Sequence, residues 1–350
     1  MRIGKVEYSM KKTLSLILAL LMLLTATAAL AVDADLSFGT QETGTAGYTY
    51  ATAIQTVIQK VDGINVTLLT NSAGNVSSPW LIQDEEADLT MSNSAPAMWA
   101  ANGGIESASV PNCPDVRCIA GGLGHDFINV MFTQKFVNET GITTVEELVE
   151  KKYPIKLVIK KNGTLGELAA EKVFGVLGVT FDDIISWGGV VEKTGGAQIK
   201  DGLQDDLYEM TVDHIGAGQA NTTELCINHA MYDVQLADET LAKLCDEGFD
   251  YITVEPNTWN GQTEAIKTVG SQQCVLCSAN LDEEVAYAIT KAMCENTDVL
   301  AEASAALGYF DPSVAGTKAL TGCDLHPGAL RYYMEMGYVN EAGEAVTPAA

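Results

Sequence analysis

The stretch from Leu36 to Val61 constrains the fold more than any other part of this sequence. Its first residues alternate as in a β-strand, and its second half repeats apolar residues at helical spacing. Between these parts lies the glycine-rich segment QETGTAGY. Small residues there let a ligand approach the backbone, and the first helical turn offers N–H groups that favour an anion. The stretch predicts a strand, a turn and a helix, and the turn is either a plain connection or part of a ligand site.

The turn matches neither of the two common phosphate-binding motifs. No Gly-Lys-Ser/Thr sequence follows it, and the G-x-G-x-x-G spacing of dinucleotide-binding folds is absent. Its interpretation therefore depends on the segments that follow it.

The same order of elements continues along the chain. A strand over 64–70 leads into the turn 71–75 and a helix over 76–83, and a further strand from Ala87 ends at Ser92-Asn93-Ser94. This βαβαβ order predicts a parallel sheet, and ligands of open parallel sheets lie at the carboxyl ends of the strands. Eight residues at these ends are candidate ligand contacts: Thr43, Gly44, Thr45, Tyr48, Ser72, Asn75, Ser92 and Asn93. Asn75 is equally a good N-cap for the following helix.

A second unit of the same kind begins near Tyr153. It has a strand over 155–159, a turn over 160–164 and a helical stripe over 165–177, which together indicate a second α/β domain. A helix over 197–207, a strand at 210–212 and a turn at 216–219 follow, and Asn221 with Glu224 fits a helix N-cap with its partner. The candidate ligand residues here are Asn162, Gly163, Thr164 and Gln219. Two extended segments, 119–130 and 268–278, are predicted to cross between the domains.

The N-terminus reads as an export signal. Basic residues precede an apolar run over 14–24, and Ala29-Leu30-Ala31 fits a cleavage site, although a membrane anchor is the alternative. The first cysteine is Cys113, so we expect no lipid anchor and a periplasmic location. The net charge of −26 excludes nucleic acid and anionic membranes as partners, but an anionic small molecule is still permitted.

Eight cysteines in an exported chain suggest disulfides. Cys113 and Cys118 flank a short loop, and we predict a bridge between them. Cys274 and Cys277 lie three residues apart in an extended segment, so they should point to opposite faces and not bond to each other. A redox or zinc role for that pair is the alternative.

An ordered set of motifs resembles the TAXI family of TRAP-transporter solute receptors and covers nearly all of residues 35–338. In chain order the segments are GTQETGTAGYTYATAI, VTLLTNSAGNVSSPWLIQDEEADLTMSNS, GITTVEEL, KNGTLGELAAEKVFGVLG, IKDGLQDDLYEM, EPNTWNGQTE and LHPGALRYYMEMGY. The chain departs from the family pattern at Glu42, Ala46 and Trp259, and in the turn NSAGN. These departures lie where ligand contacts are expected.

The resemblance implies an α/β fold of the type II periplasmic-binding-protein kind, in which two lobes joined by two crossover strands hold a ligand in the cleft between them. Lobe 1 would comprise residues 35–125 plus 272–350, and lobe 2 residues 126–271, after a signal peptide over 1–31. The implied ligand is a small organic acid or amino acid such as glutamate. The implied partner is the membrane subunit of a TRAP-type secondary transporter, and no cofactor or catalytic activity is implied.

Several side chains have two interpretations. Trp259 is either core or an aromatic wall of the cleft, and the carboxylate anchor is either Arg117 or a combination of backbone N–H groups with Lys160 or Lys161. An exported hydrolase is the competing class, but no G-x-S-x-G elbow, H-E-x-x-H motif or zinc-spaced Cys/His cluster is present. A sensor domain with the same fold and no transporter partner is a third interpretation.

Overall fold

The computed structural model describes residues 32–346 except residues 44, 73 and 106–109. The predicted signal segment 1–31 and Gly44 lie outside the described residues. The strands are β1 (Ala34–Gly39), β2 (Ile64–Leu69), β3 (Leu89–Asn93), β4 (Val116–Leu123), β5 (Asp126–Thr133), β6 (Lys156–Lys160), β7 (Val190–Thr194), β8 (Met210–Gly216), β9 (Met231–Asp233), β10 (Asp250–Val254), β11 (Ile266–Gly270) and β12 (Gln273–Ser278).

Fourteen α-helices are described between or after these strands. They are α1 (Ala46–Ile58), α2 (Pro79–Gln83), α3 (Ser94–Ala101), α4 (Gln134–Thr140), α5 (Val145–Glu150), α6 (Leu165–Gly175), α7 (Phe181–Ser186), α8 (Gly196–Gln204), α9 (Ala220–Asn228), α10 (Asp238–Asp246), α11 (Glu283–Glu295), α12 (Thr297–Ala303), α13 (Lys318–Thr321) and α14 (Pro327–Glu335). A 3₁₀ helix over Ala305–Tyr309 follows α12.

The first sheet has the strand order β2-β1-β3-β12-β4. β1 pairs in parallel with β2 and β3, which confirms the parallel βαβαβ unit predicted from the sequence. β12 runs antiparallel to both of its neighbours. The carboxyl ends of β1, β2 and β3 therefore lie at one edge of this sheet.

The second sheet has the order β7-β6-β8-β5-β9, and β10 with β11 forms a separate antiparallel ribbon. β6 pairs in parallel with β7 and β8, whereas β5 is antiparallel to β8. The second α/β unit predicted from the sequence is confirmed. The ends of β6 and β8 that lead into α6 and α9 lie at the same edge of the second sheet.

The chain passes between the two sheets twice. β4 belongs to the first sheet and β5 to the second, and the crossing falls at Gly124 and His125. β11, in the ribbon that packs on β5, leads through Ser271 and Gln272 to β12 of the first sheet. These crossings confirm two lobes joined by two crossover segments. The lobe boundaries given above stay a prediction.

Apolar packing holds α1 on the first sheet. Ile54, Val57 and Ile58 of α1 are fully buried against a cluster that includes Phe38 of β1. Cys277 belongs to this cluster, whereas Cys274 packs in the cluster on the other face of the sheet. The prediction that these two thiols point to opposite faces is therefore confirmed.

Two helix-cap predictions need correction. α2 begins at Pro79 with Ser78 as its N-cap, so Asn75 is not a helix cap and stays in the turn. α9 begins at Ala220 and is capped by Gln219, whose Oε1 accepts the N–H of Thr222, so the Asn221 cap is wrong. Both helices were misplaced by a few residues because several polar residues in each turn have similar cap propensity.

The predicted disulfide between Cys113 and Cys118 is wrong for this structure. All eight cysteines are free thiols. A turn leads from Cys113 into β4, with the Val116 N–H donating to the Cys113 carbonyl at 3.3 Å, and Cys118 lies within that strand. The N–H of Cys113 donates to the Ala100 carbonyl and that of Cys118 to the Asp324 carbonyl, so their backbones are held by different segments.

Candidate functional site

The lobe 1 side of the site begins at the turn after β1. Thr45 caps α1: its hydroxyl accepts the N–H of Tyr48 at 3.2 Å and donates to the Glu42 carbonyl at 2.7 Å. Thr43 is exposed and Tyr48 is half-buried in the first helical turn. The threonine cap stabilises the helix start and leaves that turn at the edge where β1 ends.

Three side-chain amides form a chain of hydrogen bonds along this edge, which we name the amide ladder: Gln41, Asn75 and Asn93. Gln41 Nε2 donates to Asn75 Oδ1 at 3.2 Å, and Asn75 Nδ2 donates to Asn93 Oδ1 at 2.9 Å. Asn93, which is 3% exposed, donates from Nδ2 to the carbonyl of Ser271 at 2.6 Å. The ladder joins the ends of β1 and β3 to the second crossover.

The direction of the amide ladder is fixed at one end. A backbone carbonyl only accepts, so Asn93 must present Nδ2 to Ser271 and Oδ1 to Asn75. Asn75 must then present Oδ1 to Gln41. This chain of constraints settles the orientation of amides whose oxygen and nitrogen are otherwise hard to distinguish. Each amide nitrogen carries two hydrogens, and the ladder uses one of them.

The two predicted serines at this edge support the ladder. Ser92 is fully buried and its hydroxyl donates to the Asn75 carbonyl at 2.7 Å. Ser72 accepts the N–H of Gly74 at 3.3 Å and its own N–H donates to the Thr40 carbonyl. Both serines therefore fix the turn that carries Asn75.

The second crossover is bonded to both lobes. The Ser271 hydroxyl accepts the N–H of Ala95 at 2.8 Å and lies 3.2 Å from the Ser94 hydroxyl. On the other side, the Ser271 N–H donates to Nε2 of His214 on β8 at 3.0 Å. Nε2 must be unprotonated to accept, so the ring proton of neutral His214 lies on Nδ1. Burial lowers the pKa of His214 to about 3 and keeps this form.

The lobe 2 side of the site contains an ion pair. Lys160 ends β6 and its Nζ lies 3.2 Å from Asp213 Oδ2, with the two side chains 22% and 13% exposed. Burial raises the pKa of Asp213 to about 6, although Lys160 opposes that shift. The N–H of His214 donates to the other oxygen, Asp213 Oδ1, at 2.8 Å. Polar contacts thus run without a break from Gln41 to Lys160.

Glycines make room for this pair. A Cβ on Gly166 would collide with Asp213 Oδ1, and one on Gly196 would lie 2.9 Å from Lys160 Nζ. Asn129, Thr211 and Gln219 complete a cavity of about 20 Å³ beside the pair. The hydroxyl oxygen of Thr211 is buried without a hydrogen-bond partner. A space of this size holds one water molecule or one polar ligand atom.

The remaining predicted residues of lobe 2 divide into two groups. Gln219 lines the small cavity with Lys160. Thr164 caps α6 by accepting the N–H of Glu167 at 3.2 Å. Asn162 and Gly163 are exposed and line a separate open groove of about 930 Å³ along α6 and β7.

Trp259 does not line the candidate site. It is 2% exposed and packs with Phe127 in an apolar cluster, although its indole N–H has no hydrogen-bond partner. Arg117 donates hydrogen bonds to the carbonyls of Pro114 and Val116, which lie close to it in the chain. Lys161 is exposed. Of the alternative carboxylate anchors, Lys160 is the one that the structure brings into contact with the site.

A model of the NMT1-like family matches residues 38–337. The chain belongs to the NMT1-like family. The match includes both polar edges, the amide ladder and both crossovers. Comparison with curated proteins gave no match.

This NMT1-like protein is similar to solved structures of low sequence identity. A TctC solute-binding protein from Polaromonas, determined without ligand, is 13% identical, with a TM-score of 0.51 over 79% of this chain and 88% of that one. MatC from Rhodopseudomonas palustris with bound malate is 12% identical, with a TM-score of 0.45 over 78% and 88% of the two chains. The first similarity confirms the periplasmic-binding-protein fold.

Sequence reasoning missed several polar residues of this NMT1-like site. Gln41, Asn129, Asp213 and Ser271 are not among the residues predicted from the sequence, although they form or support this site. Gln41 lies in the same turn as Thr43, so the polar turn that identified Thr43 as a candidate also indicates Gln41. Asp213 and His214 lie within β8, and two consecutive titratable residues directly after the apolar start of a strand were the available signal.

Proposed function

We propose that this protein is an exported receptor that captures a small organic acid or amino acid between its lobes and delivers it to a membrane transporter. The observation that carries this proposal is the unbroken polar path from Gln41 at the end of β1 to Lys160 at the end of β6. Binding sites of open α/β sheets lie at such strand ends. A ligand that touches both ends binds the closed arrangement best and shifts the lobe equilibrium by that difference in affinity.

The polar groups favour a ligand with a carboxylate. Gln41 and Asn75 each retain a second amide hydrogen, and the first turn of α1 adds N–H groups with partial positive charge. Lys160 supplies a cation on the other lobe, and Asp213 can accept a hydrogen bond from an amine or hydroxyl. We propose that Thr43, Gly44, Thr45, Tyr48 and Asn75 contact the ligand from lobe 1, and that buried Asn93 holds Asn75 in place.

Arginine is not the anchor in this proposal. Arg117 is bonded to nearby carbonyls, and Arg331 on α14 pairs with Glu283 and Glu284 at 2.8 Å. Both guanidinium groups thus have their partners outside the cleft. The carboxylate is instead held by amide N–H groups together with Lys160.

The sequence resemblance supports a TAXI-type receptor that works with a TRAP secondary transporter. We propose that residues 1–31 are removed on export and that the protein acts in the periplasm. Every helix in the described part of the chain is too short or too polar to cross a bilayer. We propose that its partner is the membrane subunit of that transporter.

Mass spectrometry of the small molecules released on denaturation tests the proposal. The protein is purified from its native export pathway without added ligand, denatured, and the released compounds are compared with those from an Asn75→Ala variant. We expect a small carboxylic acid or amino acid near one equivalent from the wild type and much less from the variant. Release of no small acid, together with no binding in a screen of organic and amino acids, would refute the function.

A further inference from the structure

In the second crossover, Ser271 and its neighbour Gln272 make more hydrogen bonds to lobe 1 than Ser271 makes to lobe 2. Towards lobe 1, Ser271 accepts from Asn93 and Ala95, and the next carbonyl, that of Gln272, accepts the N–H of Ser94 at 2.8 Å. Towards lobe 2, the Ser271 N–H makes a single bond, to His214. A rotation of lobe 2 about this crossover therefore acts first on the bond to His214.

We propose that His214 is a positioning residue for lobe closure: its Nε2 holds Ser271, and Ser271 orients the amide ladder that faces the ligand. This inference rests on the proposed receptor function and names the residue that couples its two lobes. His214 does not need to touch the ligand. Its effect passes through the Ser271 carbonyl, which accepts from Asn93, and through Asn93, which accepts from Asn75.

The surroundings of His214 suit a neutral acceptor. Its ring lies 6.4 Å from that of Phe249, which in turn packs edge-on against Trp99 of α3 at 6.0 Å. Asp213, the preceding residue on β8, forms an ion pair with Lys160, so the two charges offset each other. Ser271 is fully buried, and a buried backbone N–H is costly to leave without an acceptor.

The test compares three variants in the ligand-free protein. His214→Phe keeps a ring of similar size and removes the acceptor, whereas His214→Gln keeps an acceptor at a similar reach. His229→Phe is the matched control, because His229 lies near Asp206 at the end of α9, away from the crossover.

The rate of hydrogen exchange at the Ser271 amide measures directly how well the bond from this N–H to His214 protects it. We expect His214→Phe to accelerate that exchange about tenfold, which corresponds to the loss of one hydrogen bond. We expect His214→Gln and His229→Phe to stay close to wild type. Wild-type exchange in His214→Phe would overturn the proposal, and so would equal acceleration in the Phe and Gln variants, since that result indicates packing.

Small-angle scattering of the same samples measures the radius of gyration, which reports how far the lobes open. Loss of the bond should broaden the range of lobe angles, so His214→Phe should have a larger radius of gyration than wild type, and His214→Gln should not. An unchanged radius in His214→Phe would refute the role in closure. Neither measurement uses a ligand. Failure to find a ligand would therefore count against the proposed function alone, and a null result here would count against His214 alone.

Discussion

Replacing Asn75 tests both the structural and the binding role of the amide ladder. In Asn75→Ala, the Asn93 Oδ1 atom loses its donor, and it cannot turn to find another because Asn93 Nδ2 is held by the Ser271 carbonyl. Asn93 is 3% exposed, so water does not replace the lost bond. A buried acceptor left unpaired costs about 1–3 kcal/mol of folding stability.

The same variant removes one donor to the ligand. A lost hydrogen bond to a charged ligand costs about 1.5–3 kcal/mol, which lowers affinity roughly ten- to a hundredfold. Asn75→Asp should be worse on both measures. It places a carboxylate against Asn93 Oδ1, so that two acceptors face each other at the position of the present 2.9 Å bond, and it adds negative charge beside an anionic ligand.

Urea unfolding and isothermal titration calorimetry measure the two effects separately. Asn65→Ala is the control, because Asn65 is exposed on β2 and its amide donates to Asp35 at 2.9 Å, away from the cleft. We expect this variant to stay within about 0.5 kcal/mol of wild type. If folded Asn75→Ala binds the native ligand as tightly as wild type, Asn75 only shapes the turn. If Asn75→Asp is as stable as Asn75→Ala, the inferred direction of the ladder is wrong.

Four further outcomes are expected. All eight cysteines should react with a thiol reagent in guanidinium without reductant; fewer would show disulfides that the structure lacks. Burial lowers the pKa of His214 to about 3, so the stability advantage of wild type over His214→Phe in urea should shrink by up to about 1.4 kcal/mol per pH unit as pH falls from 6.5 towards 3; a constant difference would contradict this. In calorimetry, Lys160→Met should weaken ligand binding roughly tenfold or more, and exposed Lys161→Met should not; equal effects would exclude Lys160 as the anchor. N-terminal sequencing of the exported protein should find the first residue just after Ala31, and retention of residues 14–24 would refute cleavage.

The sequence predicted the layered units well because their signals are local. Apolar periodicity and small polar turns identified the strand, turn and helix at Leu36–Val61 and again after Tyr153. Parallel pairing followed from the βαβαβ order. The placement of Asn75 and Asn93 at one edge followed in turn, and the structure joins them by a direct hydrogen bond.

The rest of the site depends on contacts between distant parts of the chain. The hydrogen bonds that join Ser271 to Asn93 and to His214 span 178 and 57 residues, and no local pattern encodes them. The Cys113–Cys118 pairing failed because closeness in sequence does not set the direction of two side chains. Trp259 could not be assigned from sequence, because an aromatic residue in a turn serves equally in a core or a cleft wall.

Closure of the two lobes around a ligand is measured most directly by small-angle scattering of the ligand-free protein before and after its own released ligand is added back. The radius of gyration should fall on addition, because contacts at Asn75 on one lobe and Lys160 on the other are satisfied together only when the lobes close. Tight binding with no change in the radius would contradict a ligand held between closing lobes.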